Sequence, residues 1–331
     1  MKAIHFPAKD TVLFGDRPDP RPGPGEVLVA VRASGLCHTD IEVMRGNYGS
    51  SAFPVVPGHE YAGVVTDIGA GVTDIAAGDR VVVDPNIECG DCRACRRGWA
   101  HLCDRLGAYG VTVDGGFAAQ SVVRASAVYP IGDLPFGRAA LAEPMACVLN
   151  GIDALGVTMA ETALIFGAGP MGVLMALALR SRGVTQVVMV DLDDSRLELA
   201  DSFRLGAVAA GSAALEGWRH GADLAVDATG VPAVAAGLPD YLAPGGGGLF
   251  FGVCPASARI EISPFDIFRR QLRLVGSHSL NHNIPAALDA ISAIGPDLDR
   301  VISHSLPLDA VADIFASHAP KGSLKIQAVA D

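Results

Sequence analysis

Four cysteines crowd one stretch of 15 residues: Cys89, Cys92, Cys95 and Cys103, spaced Cys-x2-Cys-x2-Cys-x7-Cys. Thiolates are good zinc ligands. The first three can turn inward on one tight loop, with bends at Gly90 and Gly98, while the fourth closes a tetrahedron. Buried free thiols and an iron–sulfur cluster are the competing readings, but free thiols rarely crowd so densely. The spacing predicts a structural zinc held by four sulfurs, with no position open to a substrate.

A second set of ligand types is spread over three short phrases: Gly35-Leu36-Cys37-His38-Thr39-Asp40, Gly58-His59-Glu60 and Ala142-Glu143-Pro144. Catalytic zinc uses three protein ligands and keeps a fourth position for water or substrate. Cys37, His59 and Glu143 supply a sulfur, a nitrogen and an oxygen of that kind. Singly each is a weak signal; together they make a site.

Gly167-Ala168-Gly169-Pro170-Met171-Gly172 matches Gly-x-Gly-x-x-Gly. In a strand-to-helix turn the glycines let a pyrophosphate approach backbone, and the helix N-terminus faces its charge. Asp191 follows 24 residues after Gly167. It is placed to accept from an adenosine ribose and to repel a 2′-phosphate, favouring NAD over NADP. A plain helix cap is its bland alternative. Arg196 belongs on the next helix face, near the same site. Thr229, Gly252 and Val253 end later strands, where the nicotinamide half would bind or where turns simply need small residues.

Elements of two kinds must position these groups. Short Val-rich runs at Glu26–Ala33, Tyr61–Ile68 and Arg80–Asp84, bounded by Pro or Gly, predict a β-barrel. From Thr162 strands and helices alternate: strands at Thr162–Phe166, Gln186–Val190, Asp223–Ala228, Gly248–Val253 and Leu272–Gly276, with a helix over 169–182. That rhythm predicts a doubly wound parallel sheet. After Ser279 the pattern is irregular until a last strand at Ser323–Ala330, read as a tail returning to the first domain.

Taken together, the Cys37-His38-Thr39-Asp40 and Gly58-His59-Glu60 phrases, the cysteine lobe and the glycine turn resemble the zinc-dependent medium-chain dehydrogenase/reductases. This is the alcohol dehydrogenase superfamily, and the resemblance spans nearly the whole chain. It implies a GroES-like catalytic domain over 1–150 and 280–331 and a Rossmann NAD-binding domain over 151–279. It further implies two zincs per chain and NAD-linked oxidation of an alcohol. Alcohol dehydrogenase itself binds catalytic zinc through two Cys and one His. Here Glu143 stands where a second Cys would be, which is similar to the sorbitol and other polyol dehydrogenases.

By that resemblance Thr39 would hydrogen-bond the substrate oxygen and pass its proton outward, and Asp40 would hold His59. Glu60 would be an occasional ligand or an outer carboxylate, and Glu143 would ligate directly or through water. Thr39 also suits a helix N-cap. Many relatives end the proton relay in a His three residues beyond Thr39; Glu42 occupies that place. Tyr48 and Phe117 are candidate pocket residues, and a homodimer or homotetramer is implied.

Composition narrows the class. Half of the 331 residues are hydrophobic and 18% are charged, enough for large cores. The net charge is −11, with Lys and Arg outnumbered 25 to 36, which disfavours nucleic acid and anionic membranes. Thr162 to Leu179 lacks charge but is broken by glycines and Pro170, so it reads as strand, turn and helix and not as a span. No signal peptide is apparent, and clustered cysteines fit a reducing cytoplasm. The sequence therefore predicts oxidation of a polyol to a ketose. A simple alcohol, threonine or a cyclitol are rival substrates. A zinc-free reductase and a non-catalytic protein of the same fold are different classes; Cys37, His59 and Glu143 stand against both.

Overall fold

A computed structural model describes residues 1–48, 52–156, 159–317 and 319–330. They form two compact units, Met1–Pro144 with Leu280–Asp331, and Met145–Ser279.

The first unit is built on a seven-stranded sheet. Its order runs Ile302–Leu306, Lys325–Val329, Glu26–Gly35, Glu60–Ile68, Arg80–Val83, Val128–Pro130, with Gln120–Arg124 also paired to Glu26–Gly35. Alternation along Glu26–Gly35 turns Val27, Val29 and Val31 into one core, with Val65, Val81 and Val123. Each such valine removed from water stabilises by roughly 1.5 kcal/mol or more. A second core collects Ile4, Phe6, Phe117, Phe315 and Ile326. Phe117 meets Phe315 edge-on at 5.8 Å and is fully buried, so it is a core residue and not a pocket residue. The C-terminal strand Lys325–Val329 lies antiparallel against Glu26–Gly35.

The second unit is a six-stranded parallel sheet. Its order is Gly206–Ala209, Gln186–Asp191, Thr162–Phe166, Ala222–Asp227, Leu242–Phe250, Arg273–Gly276. Strand succession reverses direction at Thr162–Phe166, the switch point where such sheets bind ligands. Pro170–Ser181 starts with Pro, which suits a first helical turn, and buries every residue from Gly172 to Leu179. That burial explains the uncharged stretch: no helix among the described residues is long and apolar enough to cross a membrane.

Two segments differ from expectation. The strand expected at Gly248–Val253 is Leu242–Phe250, and it runs through the glycines Gly245 to Gly248. Glycine has low strand propensity, so pairing on both edges, and not local preference, holds this strand. The region after Ser279 is regular: helices Ile284–Ile294 and Leu308–Ala316 flank the strand Ile302–Leu306. The first of these buries only Ile284, Ala287 and Ile291. A pattern that uses Ala at a core position gives little periodic contrast in sequence.

Asp84 follows the strand Arg80–Val83 and leads toward the cysteine lobe. It is only 4% exposed. Burial pushes its carboxyl up to about 6, although the Asn86 N–H and nearby His282 pull the other way. A carboxyl raised on folding destabilises when ionised. The penalty is absent near pH 4, grows as pH rises toward 6 and is complete above it. Asp84→Asn keeps the acceptor for Asn86 and removes the charge. It should raise stability at pH 8 by at most about 3 kcal/mol and leave it unchanged near pH 4. Thermal unfolding at both pH values checks this; an equal effect at both would contradict it.

Candidate active site

Two neighbouring strand ends bring the first set of ligands together. Gly35, near the end of one strand, sits opposite Glu60, the first residue of the next. Cys37 lies two residues beyond the first strand and His59 one residue before the second, so strand pairing puts both beside Glu60. Gly35 has no side chain for a physical reason: a Cβ there would stand 2.3 Å from Glu60 Oε2.

Asp40 ties the two segments. It is fully buried in the short helix His38–Met44, which Cys37 caps. Its Oδ2 accepts from the Cys37 N–H at 2.9 Å, and its Oδ1 from the Gly58 N–H at 3.1 Å. The same Oδ1 lies 3.2 Å from His59 Nδ1, leaving Nε2 as the nitrogen for a metal. Burial would lower the His59 pKa, but Asp40 and Cys37 outweigh it and hold it well above the usual value.

Ligand atoms of Cys37, His59 and Glu60 all lie within 4.8 Å of one another. Glu60 Oε2 is buried and has no hydrogen-bond partner among the described residues. A soft sulfur, an imidazole and an unpartnered carboxylate oxygen fit a zinc ion. Glu143, buried in the first turn of Ala142–Leu155, is not among the three converging groups. Its charge still reaches the site, since it is one of the anions acting on Lys325. Lys325 is a residue that sequence reasoning missed. It is buried and pairs with Glu60 Oε1. A lone lysine in a C-terminal strand gives no local signal of this.

Thr39 is the second residue of the helix and half-buried; the N-cap is Cys37, not Thr39. Glu42, at the outer relay position, is engaged by Asn47 at 3.0 Å and Arg45 at 3.2 Å. The Asn47 amide does most to hold its carboxyl below the usual range, so it stays ionised.

The four lobe cysteines also converge within 4.8 Å. Cys92 lies 3.4 Å from Cys95, and Cys103 3.4 Å from Cys89. Backbone N–H groups of Cys89 and Arg105 point at Cys103 Sγ, which is how chains stabilise thiolates. The backbone N–H groups of Cys95 and Asp104 lower the Cys92 thiol. Burial and the neighbouring sulfurs raise that of Cys95. Four sulfurs this close could hold a zinc ion, and would then fill all four positions of a tetrahedron.

In the second unit, Gly167, Gly169, Pro170, Met171 and Gly172 form the turn from Thr162–Phe166 into its helix. A Cβ on Gly172 would strike the Gly167 carbonyl oxygen at 1.8 Å, so only glycine fits. Gly169 caps the helix without a side-chain bond, leaving first-turn N–H groups for a phosphate. Asp191 Oδ2 accepts from the Ala168 N–H at 2.7 Å, and its Oδ1 from Leu192 and Asp193. Arg196 stands 3.9 Å from Asp191, beside Gly169. Built-on Cβ atoms of Gly167, Gly230 and Gly252 would contact Thr229, Val253 and Gly230 respectively, so these strand ends adjoin one edge. Thr229 is held by Asp227 at 2.6 Å, while Val253 is 93% exposed.

Comparison with known proteins agrees with this arrangement. Residues 23–133 match the alcohol dehydrogenase GroES-like domain, and residues 170–293 match the zinc-binding dehydrogenase domain. D-altritol 5-dehydrogenase of Agrobacterium fabrum (strain C58) is 49% identical over the full length of both chains. A structure described as a zinc-binding dehydrogenase from Sinorhizobium meliloti 1021, with NADP bound, superposes with TM-score 0.93. It is 32% identical, with 99% of each chain covered. An alcohol dehydrogenase of Escherichia coli CFT073 complexed with NADH gives TM-score 0.90 at 28% identity, covering 100% of this chain and 99% of that one. The chain belongs to the zinc-dependent medium-chain dehydrogenases of the alcohol dehydrogenase family, and it is an oxidoreductase.

The two metal sites should separate in their consequences. Cys89→Ser should lower the unfolding temperature by several degrees or more, because it opens a closed staple. Glu143→Ala should mainly reduce turnover. Circular dichroism melts and initial rates on both variants check the division, and equal loss of folding would contradict it.

Proposed function

We propose that the protein oxidises a secondary hydroxyl of a polyol to a ketone, reversibly, with NAD. The observation that carries this is the convergence of Cys37, His59 and Glu60 within 4.8 Å of one another, a sulfur–nitrogen–oxygen set of three ligands. The 49% identical relative named for D-altritol supports a sugar alcohol over simple alcohols or threonine. Cys37, His59 and Glu60 would hold the zinc, which when bound would supply Lewis acidity toward the substrate hydroxyl, and the Gly167–Gly172 turn would hold the NAD that serves as hydride acceptor.

The chain's own residues do the rest. Asp40 fixes the His59 tautomer with Nδ1–H toward the carboxylate, so the imidazole binds neutral at Nε2. The Thr39 hydroxyl accepts the substrate proton and hands its own outward. Glu143 sets the charge around the site from the head of its helix, as a ligand through water or as an outer carboxylate. The Gly169 helix end receives the pyrophosphate. Asp191, at the strand end, favours an adenosine ribose over a 2′-phosphate. Arg196 beside it supports the same ribose. Thr229, Gly252 and Val253 border the nicotinamide half. Clustered, metal-poised cysteines suit the cytoplasm, and assembly as a dimer or tetramer follows the family.

A substrate panel of D-altritol, other hexitols and pentitols, ethanol and threonine, read by NADH absorbance, tests this. A polyol should give the highest kcat/KM, and NAD should exceed NADP by at least about tenfold, the worth of one repelled charge. Threonine or ethanol as the best substrate, or NADP as the better cofactor, would overturn the respective part. Asp191→Ala should narrow the gap between the cofactors.

A further inference from the structure

Lys325 is the only lysine or arginine among the buried residues described, at 2% exposure. An ammonium out of water is costly unless paired. The C-terminal strand puts it there: Gln327, Gly35 and Glu60 lie side by side across three strands, and Lys325 shares their face. Its ammonium donates to Glu60 Oε1. Oε2 of the same carboxylate is buried without a hydrogen-bond partner among the described residues, and Glu60 has a ligand atom within 4.8 Å of those of Cys37 and His59. Two cations therefore address one carboxylate, a fixed ammonium and the metal.

We propose that Lys325 is a positioning residue that holds Glu60 by one oxygen, so that Glu60 shares its charge between the ammonium and the zinc. One thiolate and one carboxylate cancel the charge of a divalent ion. The ammonium is a second, fixed cation beside the metal; it offsets part of the negative charge of Cys37, Glu60 and the nearby Glu143 and keeps Glu60 from closing the open coordination position. The inference rests on Cys37, His59 and Glu60 being the catalytic zinc site.

Competition gives the test its sign. Without Lys325, Glu60 is an uncompensated buried charge in the metal-free chain but not in the zinc-loaded one. By linkage, zinc must then bind more tightly.

The experiment compares the wild type with Lys325→Met, Lys325→Arg and the double variant Lys325→Met/Glu60→Gln, each as the full chain with and without zinc. The zinc to follow in chelator competition is the one that His59→Ala loses. Lys325→Met should hold it roughly tenfold or more tightly than wild type. Its metal-free form should melt several degrees lower while its zinc-loaded form is little changed, and turnover should fall. Adding Glu60→Gln should restore the metal-free melt, and Lys325→Arg should keep near-wild-type zinc affinity. Unchanged or weaker zinc binding in Lys325→Met, equal destabilisation of both forms, or failure to fold even with zinc would overturn the proposal. Folding only when zinc is supplied is the extreme of the expected result. A wild-type chain that never carries the His59-dependent zinc would overturn the site itself, and the inference with it.

Discussion

One buried carboxylate, that of Asp40, organises the first unit's chemistry. Its two oxygens take the Cys37 and Gly58 backbone N–H groups and face the His59 ring. A loop after one strand and a loop before its neighbour are thereby pinned to each other. The segments that carry the candidate metal ligands are thus oriented by the chain's own hydrogen bonds. Gly35 completes the arrangement by leaving the space that Glu60 fills.

The two ligand sets share this chain for opposite purposes. The cysteine lobe uses four like ligands and leaves nothing over, which stabilises a segment with little apolar core of its own. The set at Cys37, His59 and Glu60 is mixed, and as three ligands it would leave a zinc ion the fourth position that a reacting oxygen requires. The second unit repeats this economy with backbone. Gly172 fits against the Gly167 carbonyl, and Asp191 fastens the same turn through the Ala168 N–H. Asp191 therefore braces the phosphate turn, and its bonds to Ala168, Leu192 and Asp193 are compatible with the ribose contact proposed for it.

What could be read from the sequence followed from locality. The cysteine lobe and the glycine turn declare themselves because all their residues lie within one loop. The Cys37, His59 and Glu60 phrases were visible as phrases, but which carboxylate stands nearest depends on strand register. Glu60 faces Gly35 by pairing, whereas Glu143 belongs to a helix whose first turn no short motif can place. Lys325 was illegible for the same reason, 265 residues away from its partner. The Gly245 to Gly248 strand and the Ala-centred helix Ile284–Ile294 escaped because tertiary pairing, and not propensity, makes them.

The most direct test of the account is an anomalous diffraction map collected at the zinc edge from crystals of the purified protein. The account requires two peaks per chain, one enclosed by Cys89, Cys92, Cys95 and Cys103 and one touching Cys37, His59 and Glu60 with a side open to solvent. A single peak in the cysteine lobe, with the other three side chains turned apart, would contradict it.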